Sequence, residues 1–197
     1  MAAIQSRKQA THDRIVETAA RAIRGAGFHG VGVADVMKQA GLTHGGFYAH
    51  FASREALLAE ALAHAGAESR ERMQRAMQAT MAKGASPFRA FVDNYLSERH
   101  LKAPESGCPV AALASEMPRQ APELRAAATE RVKALLASVA AALPEGSPKE
   151  AAAVVASQLV GALQLARAIG DNPQGRALLA ASRAGLLAQF DAPARAS

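Results

Sequence analysis

The chain has 197 residues, half of them hydrophobic, which is enough to bury a sizeable core and excludes disorder as its default state. Aromatic residues make up 4% and tryptophan is absent, while Ala, Leu, Arg, Glu and Gln are plentiful; this balance suits helices packed through small side chains and disfavours sheets. The formal net charge of +6 permits a polyanionic partner through counterion release, yet residues 1–60 hold seven Lys/Arg against five Asp/Glu, so charge alone does not place that partner.

The N-terminal stretch MAAIQSRKQATHDR is polar and basic and lacks the apolar run of a secretory signal. From Thr11 to Ala26, apolar residues at Ile15, Ala19, Ala22, Ile23 and Ala26 recur at helical spacing, predicting a first helix capped by Thr11 and ended by Gly25 and Gly27. Val33, Val36, Met37 and Ala40 form a second short pattern, stopped at Gly41, where a missing Cβ allows a left-handed turn. Thr43 is positioned to cap a short third helix carrying Phe47, Tyr48 and Phe51, with Phe47 and Phe51 expected in the core.

Ser53 begins a long helix that runs to about Lys83 and links two parts, a head over 1–52 and a larger remainder over 53–197. Ser86-Pro87 starts the next helix, which Pro104 breaks, and Cys108-Pro109 starts a further one reaching Glu116. Helices over Glu123–Leu143, Lys149–Ile169 and Pro173–Phe190 complete an all-α chain of about nine helices. No charge falls between Glu150 and Arg167, so that helix must be covered on several sides, and packing against a second subunit is the simplest cover. No stretch gives eighteen uninterrupted apolar residues, which leads us to expect a soluble cytoplasmic protein with no membrane partner.

The segment Val33–Phe51, VADVMKQAGLTHGGFYAHF, has the apolar, turn, apolar spacing of two short helices crossing at a glycine turn. That pattern fits either an ordinary helical hairpin or a helix-turn-helix that presents a polar face to a DNA groove. Taken with Ile15, Ala19, Gly27-Phe28, Asp35-Val36, Ala40-Gly41-Leu42, Gly45, Phe47-Tyr48, His50-Phe51 and Leu57-Leu58, it resembles the DNA-binding module of the TetR (tetracycline-repressor-like) family over about the first sixty residues. The resemblance implies a two-fold homodimer on a palindromic double-stranded operator. It puts Thr43, His44 and Tyr48 at phosphates or bases and Gly45 and Gly46 where the backbone nears DNA. Lys38 joins this set, with His50 and Arg54 as flanking phosphate contacts. Three positions depart from the family pattern: Val31-Gly32 replaces hydroxyl residues that cap the second helix, Met37 stands where Ala is usual, and Gly46 where Ser or Thr is frequent.

In the remainder, Met73, Met77, Phe88, Phe91, Tyr95, Cys108, Leu113 and Met117 either fill the core or line a cavity for a small apolar or electrophilic inducer. Cys108, before a proline at a helix start, is either an inert buried thiol or one that free amides make reactive, and some TetR-type repressors are similar in carrying a Gly-Cys pair there. The last two helices, through Leu159, Gly161, Leu163, Leu179 and Leu186, are expected to form a four-helix dimer interface. No hydrolase, zincin, P-loop or dinucleotide motif is present and the six histidines lack metal-ligand spacing, so no catalytic residue, metal or cofactor is expected. The rival to a regulator is a helical ligand-binding or scaffold protein with a degenerate DNA module.

Overall fold

The computed structural model describes residues 2–191, with side chains from Arg7 onward. Among the described residues there are nine α-helices and no strand: α1 (Ala2–Ala26), α2 (Val33–Gln39), α3 (Arg54–Met81), α4 (Pro87–Tyr95), α5 (Glu98–Lys102), α6 (Pro109–Leu113), α7 (Pro122–Ala142), α8 (Ala151–Ile169) and α9 (Pro173–Phe190). Short 3-10 turns cover His44–Ala49, Pro104–Ser106 and Met117–Arg119. The chain divides into two compact units, one running to Ser69 and resuming over Glu105–Arg131, the other taking Arg70–Pro104 and the chain from Val132 on. The first therefore reaches beyond the 1–52 head and takes in α6.

Capping explains most of the boundaries. The Ser53 hydroxyl accepts from the Ala56 amide at 3.0 Å, Ser86 from Arg89 at 3.0 Å, and the Asn172 side chain from Gln174 and Gly175 at 3.0 Å each. Each bond satisfies an amide that the first helical turn would otherwise leave bare, worth about 1 kcal/mol. Two boundaries differ from the sequence expectation. Thr11 does not start α1, because the preceding residues contain no glycine or proline and the helix extends back to Ala2. The helix from Pro87 stops at Tyr95 rather than near Pro104, because the Ser97 hydroxyl accepts from the His100 amide at 3.2 Å and caps a separate helix, α5.

In the first unit, Ile15, Ala19 and Ile23 of α1, Val36 and Met37 of α2, Phe28, Phe47 and Phe51, and Leu57, Leu58, Ala61 and Leu62 of α3 are buried together. Each large side chain withdrawn from water contributes roughly 1.5–3 kcal/mol, and the alanines let helices approach closely. In the second unit, α8 and α9 form a hairpin across Gly170–Asn172, and Leu159, Leu163, Leu179 and Leu186 are buried within it. The far end of α9 is clasped to α4: the Ser86 hydroxyl donates to the Asp191 carboxylate, which also pairs with Arg89 at 2.9 Å, and Phe190 meets Phe88 edge to face at 5.9 Å.

His100 is the titratable weak point of the second unit. Its Nδ1 donates to the Tyr95 carbonyl at 2.7 Å, its ring stands edge-on to Tyr95 at 4.9 Å, and its own carbonyl accepts from Arg167 at 2.7 Å. Burial is the main reason its pKa falls from 6.5 to about 4. The bond to Tyr95 opposes the fall, and the charges of Arg167, Arg99 and Arg72 add to it. On acidification the unfolded chain takes up this proton before the folded one. The contribution to stability is thus complete above pH 6.5 and lost on descending to about 4, by roughly 3 kcal/mol at most. Urea melts of the wild type and of His100→Asn, whose amide keeps a donor for Tyr95, test this: the variant should lose less stability between about pH 7.5 and 4.5.

Candidate nucleic-acid interface

The outward-facing feature of the first unit is the segment from Val33 to Arg54. Gly32 occupies the N-cap of α2 with extended backbone and offers no side-chain cap, as the sequence implied. At the other end, Gly41 adopts φ +72, its amide donates to the Lys38 carbonyl at 3.0 Å and the Leu42 amide donates to Met37 at 2.9 Å. This paired pattern closes a helix and reverses the chain within two residues.

Beyond the reversal, His44–Ala49 forms a six-residue 3-10 turn in which the Gly46 amide donates to the Thr43 carbonyl at 3.1 Å. Thr43 stands at its N-cap with no side-chain bond. Two adjacent glycines carry the lowest helix propensity short of proline, which accounts for a tight turn in place of a third α-helix. Its faces are sharply divided. Phe47 points into the core beside Phe51, whereas Thr43, His44, Gly45 and Tyr48 are exposed, Tyr48 by 73%. Lys38 is exposed on α2.

The two glycines differ in what surrounds them. A Cβ added at Gly45 would meet nothing within 4 Å, and one at Gly46 would lie 3.7 Å from the terminal methyl of Met37. Met37 and Gly46, two of the departures from the family pattern, thus face each other: a long side chain on α2 fills the space left by a small residue on the turn. Neither glycine is demanded by a positive φ or by an internal clash, and each costs about 0.5–1 kcal/mol relative to alanine in helical backbone.

The remaining DNA-facing candidates sit differently. His50 is half-buried at the end of the turn, its Nδ1 buried without a hydrogen-bond partner. Burial first, then the charges of His12 and Lys8, lower its pKa below 6.5. Arg54, expected as a phosphate contact, turns inward. Its guanidinium donates to the carbonyls of Phe28 and Val31, the latter at 3.2 and 3.3 Å, and lies 3.7 Å from Glu55. It staples the α1–α2 connection to the start of α3.

Two contacts beyond sequence reasoning fix the Cys108 segment to α1 and the turn that follows it. The side chain of Arg24 is fully buried; it pairs with Glu68 at 2.7 Å and donates to the carbonyls of Ala20 at 3.0 Å and Gly107 at 3.5 Å. Glu116 accepts from the Phe28 amide at 2.9 Å, closing the turn where Gly27 has φ +75. A charge on the apolar stripe of a helix is the one signal that could have exposed Arg24, since a buried cation requires partners. Cys108 itself, 7% exposed, occupies the N-cap of α6.

The expected cavity set is divided between the units. Met73 and Met77 are half-buried and Phe88, Phe91 and Tyr95 buried in the second unit, while Cys108, Leu113 and Met117 are buried in the first. A surface groove of about 400 Å³ along α9, lined by Leu96, Glu98, Arg176, Leu179 and Arg183 among others, includes none of the eight. Of the expected dimer set, Leu159, Leu163, Leu179 and Leu186 are already buried within the single chain. Gly161 lies on the other face of α8 with Val154, Leu165 and Ile169, of which Leu165 is 59% exposed. By length and composition α8 is apolar enough to cross a membrane, which reflects this second apolar stripe.

Residues 15–61 match the model for bacterial regulatory proteins of the tetR family, and residues 84–181 that for the tetracyclin repressor-like C-terminal domain. An uncharacterized HTH-type transcriptional regulator of Mycobacterium tuberculosis is 32% identical over 170 residues, spanning 81% of this chain and 85% of its own. Among solved structures, reduced NemR of E. coli superposes with a TM-score of 0.76 at 21% identity, covering 94% of this chain and 99% of that one. A TetR transcriptional regulator of Chloroflexus aurantiacus gives 0.72 at 22% identity, covering 93% and 95%. Arg54→Ala is expected to lower the urea unfolding midpoint in the absence of DNA, corresponding to a stability loss of about 1–3 kcal/mol, because it leaves the Phe28 and Val31 carbonyls without this donor. Lys38→Ala should leave that midpoint unchanged in the same melts.

Proposed function

Because the chain belongs to the tetR family of bacterial regulatory proteins, we propose that this transcriptional regulator is a cytoplasmic repressor that binds a palindromic operator as a homodimer. Residues 1–52 are the DNA-binding part and 53–197 the sensing and dimerising part. The observation that carries the reading is the exposed turn His44–Ala49. Gly45 serves no packing need of the chain, and the bare backbone it leaves is what close approach to a phosphodiester requires. Thr43, His44 and Tyr48 supply donors to phosphates or base edges, and Lys38 and His50 flank them. Arg54 acts indirectly, by holding the α1–α2 connection.

The second copy is supported by the outer stripe of α8. Val154, Leu165 and Ile169 are exposed apolar residues on one helix, with Gly161 between them allowing close approach, and one face of α9 carries exposed alanines at 177, 181, 184 and 188. Two-fold pairing there sets two recognition turns against successive major grooves, roughly 34 Å apart. Release occurs when a small apolar or electrophilic inducer, or modification of Cys108, favours a dimer whose turns are mis-spaced. Operator affinity then falls by the ligand's differential affinity for the two states. The Arg24 and Glu116 contacts support this reading, since they bind the Cys108 segment to the helix that carries the head.

A footprint on the DNA flanking its own gene, at low and moderate salt, tests operator binding directly; a protein that ignores duplex DNA there is the scaffold alternative. Gly45→Ala and Tyr48→Ala sharpen it. The first should fold with equal or greater stability and yet bind the operator at least tenfold more weakly, and the second should weaken binding across sequences with dimerisation intact. Leu165→Glu, read by light scattering or ultracentrifugation, should give a folded monomer with weak operator affinity, since burying an unpaired carboxylate in an apolar interface is costly.

A further inference from the structure

Beneath the recognition turn lies a run of stacked rings that ends on α1. The ring of His12 stacks on Phe51 with centroids 4.5 Å apart and planes 25° from parallel. Phe51 stacks on Phe47 at 5.6 Å and 25°, and Phe47 meets Tyr48 edge to face at 5.2 Å and 77°. His12 is itself held: its Nε2 bonds the Glu60 carboxylate of α3 at 2.7 Å. The turn has no side-chain cap at Thr43 and contains two glycines, so little within it resists rotation of Tyr48. The rings below are stiff, broad and in van der Waals contact, and stacked or edge-to-face pairs contribute beyond their buried area.

We propose that His12 is a positioning residue for DNA binding: locked by Glu60, it is the base of the stack that fixes where Tyr48 stands above the turn. The consequence for operator affinity rests on the regulator reading; the position of Tyr48 does not. His12 touches no DNA in this scheme and acts only through Phe51 and Phe47. The chemistry it needs is a flat ring with a donor, and each half is separately removable. His12→Phe keeps the ring and gives up the bond to Glu60, His12→Gln keeps a donor and gives up the ring, and His12→Ala loses both.

The sequence contains two tyrosines, Tyr48 and Tyr95, so protein labelled with 3-fluorotyrosine gives two fluorine resonances, assigned through Tyr48→Phe. Without DNA, His12→Ala is expected to shift or broaden the Tyr48 resonance and leave that of Tyr95 in place, and His12→Phe to restore most of it. On a duplex of the intergenic DNA flanking the gene, His12→Ala should bind about tenfold more weakly, with His12→Phe recovering most of the loss and Gln little. An unmoved Tyr48 signal in folded His12→Ala overturns the proposal, as does Gln rescuing as well as Phe. Should His12→Ala fail to fold, Gln against Phe decides by the same fluorine readout. A wild-type protein that binds no DNA sinks the regulator reading alone, because the fluorine spectra still report whether His12 sets Tyr48.

Discussion

A turn of six residues with adjacent glycines makes too few internal hydrogen bonds to hold its own shape in water, and the surface proposed to meet DNA is such a turn. Its geometry is borrowed from the elements under it. Met37 fills the space beside Gly46, Phe47 and Phe51 anchor the inner face, and the bond from Leu42 to Met37 sets the angle at which the turn leaves α2. The long α3 and the buried face of α1 give those residues a rigid floor, so the order of a flexible segment becomes a property of the core.

The same logic explains the inward-facing cations of the first unit. Arg24 and Arg54 use long, planar guanidiniums to satisfy the carbonyls of Gly107, Phe28 and Val31 in the connections between helices, where regular hydrogen bonding stops. Glu116 does the converse for the amide of Phe28. These polar ties sit where the chain changes direction, and they join α1 to residues far along the sequence. Removing one partner leaves a desolvated group behind, so such ties set geometry more firmly than their net energy suggests.

The local signals were plainly readable in the sequence. Ser53, Ser86 and Pro173 mark helix starts, Gly41 marks the reversal, and the outward polar and inward aromatic residues of the turn follow from spacing. What spacing does not carry is the identity of the partner. Periodicity marks α8 as apolar all round, yet it does not say that Leu159 and Leu163 are buried within the single chain while Val154 and Leu165 are exposed on it. Likewise an arginine at position 54 reads as a surface cation until the carbonyls of Phe28 and Val31 are seen within its reach. The partners of His12 lie at Phe51 and Glu60, and nothing local to His12 announces them.

The open space above Gly45 has an evolutionary consequence. Because the scaffold makes no use of that volume, side chains can be introduced there without a cavity to fill or a clash to relieve. For a head that reads DNA through this turn, as proposed, changes at position 45 are filtered by which promoters they recognise and scarcely at all by whether the polypeptide folds. Such a lineage can acquire new target genes through drift there, while the core behind it stays intact.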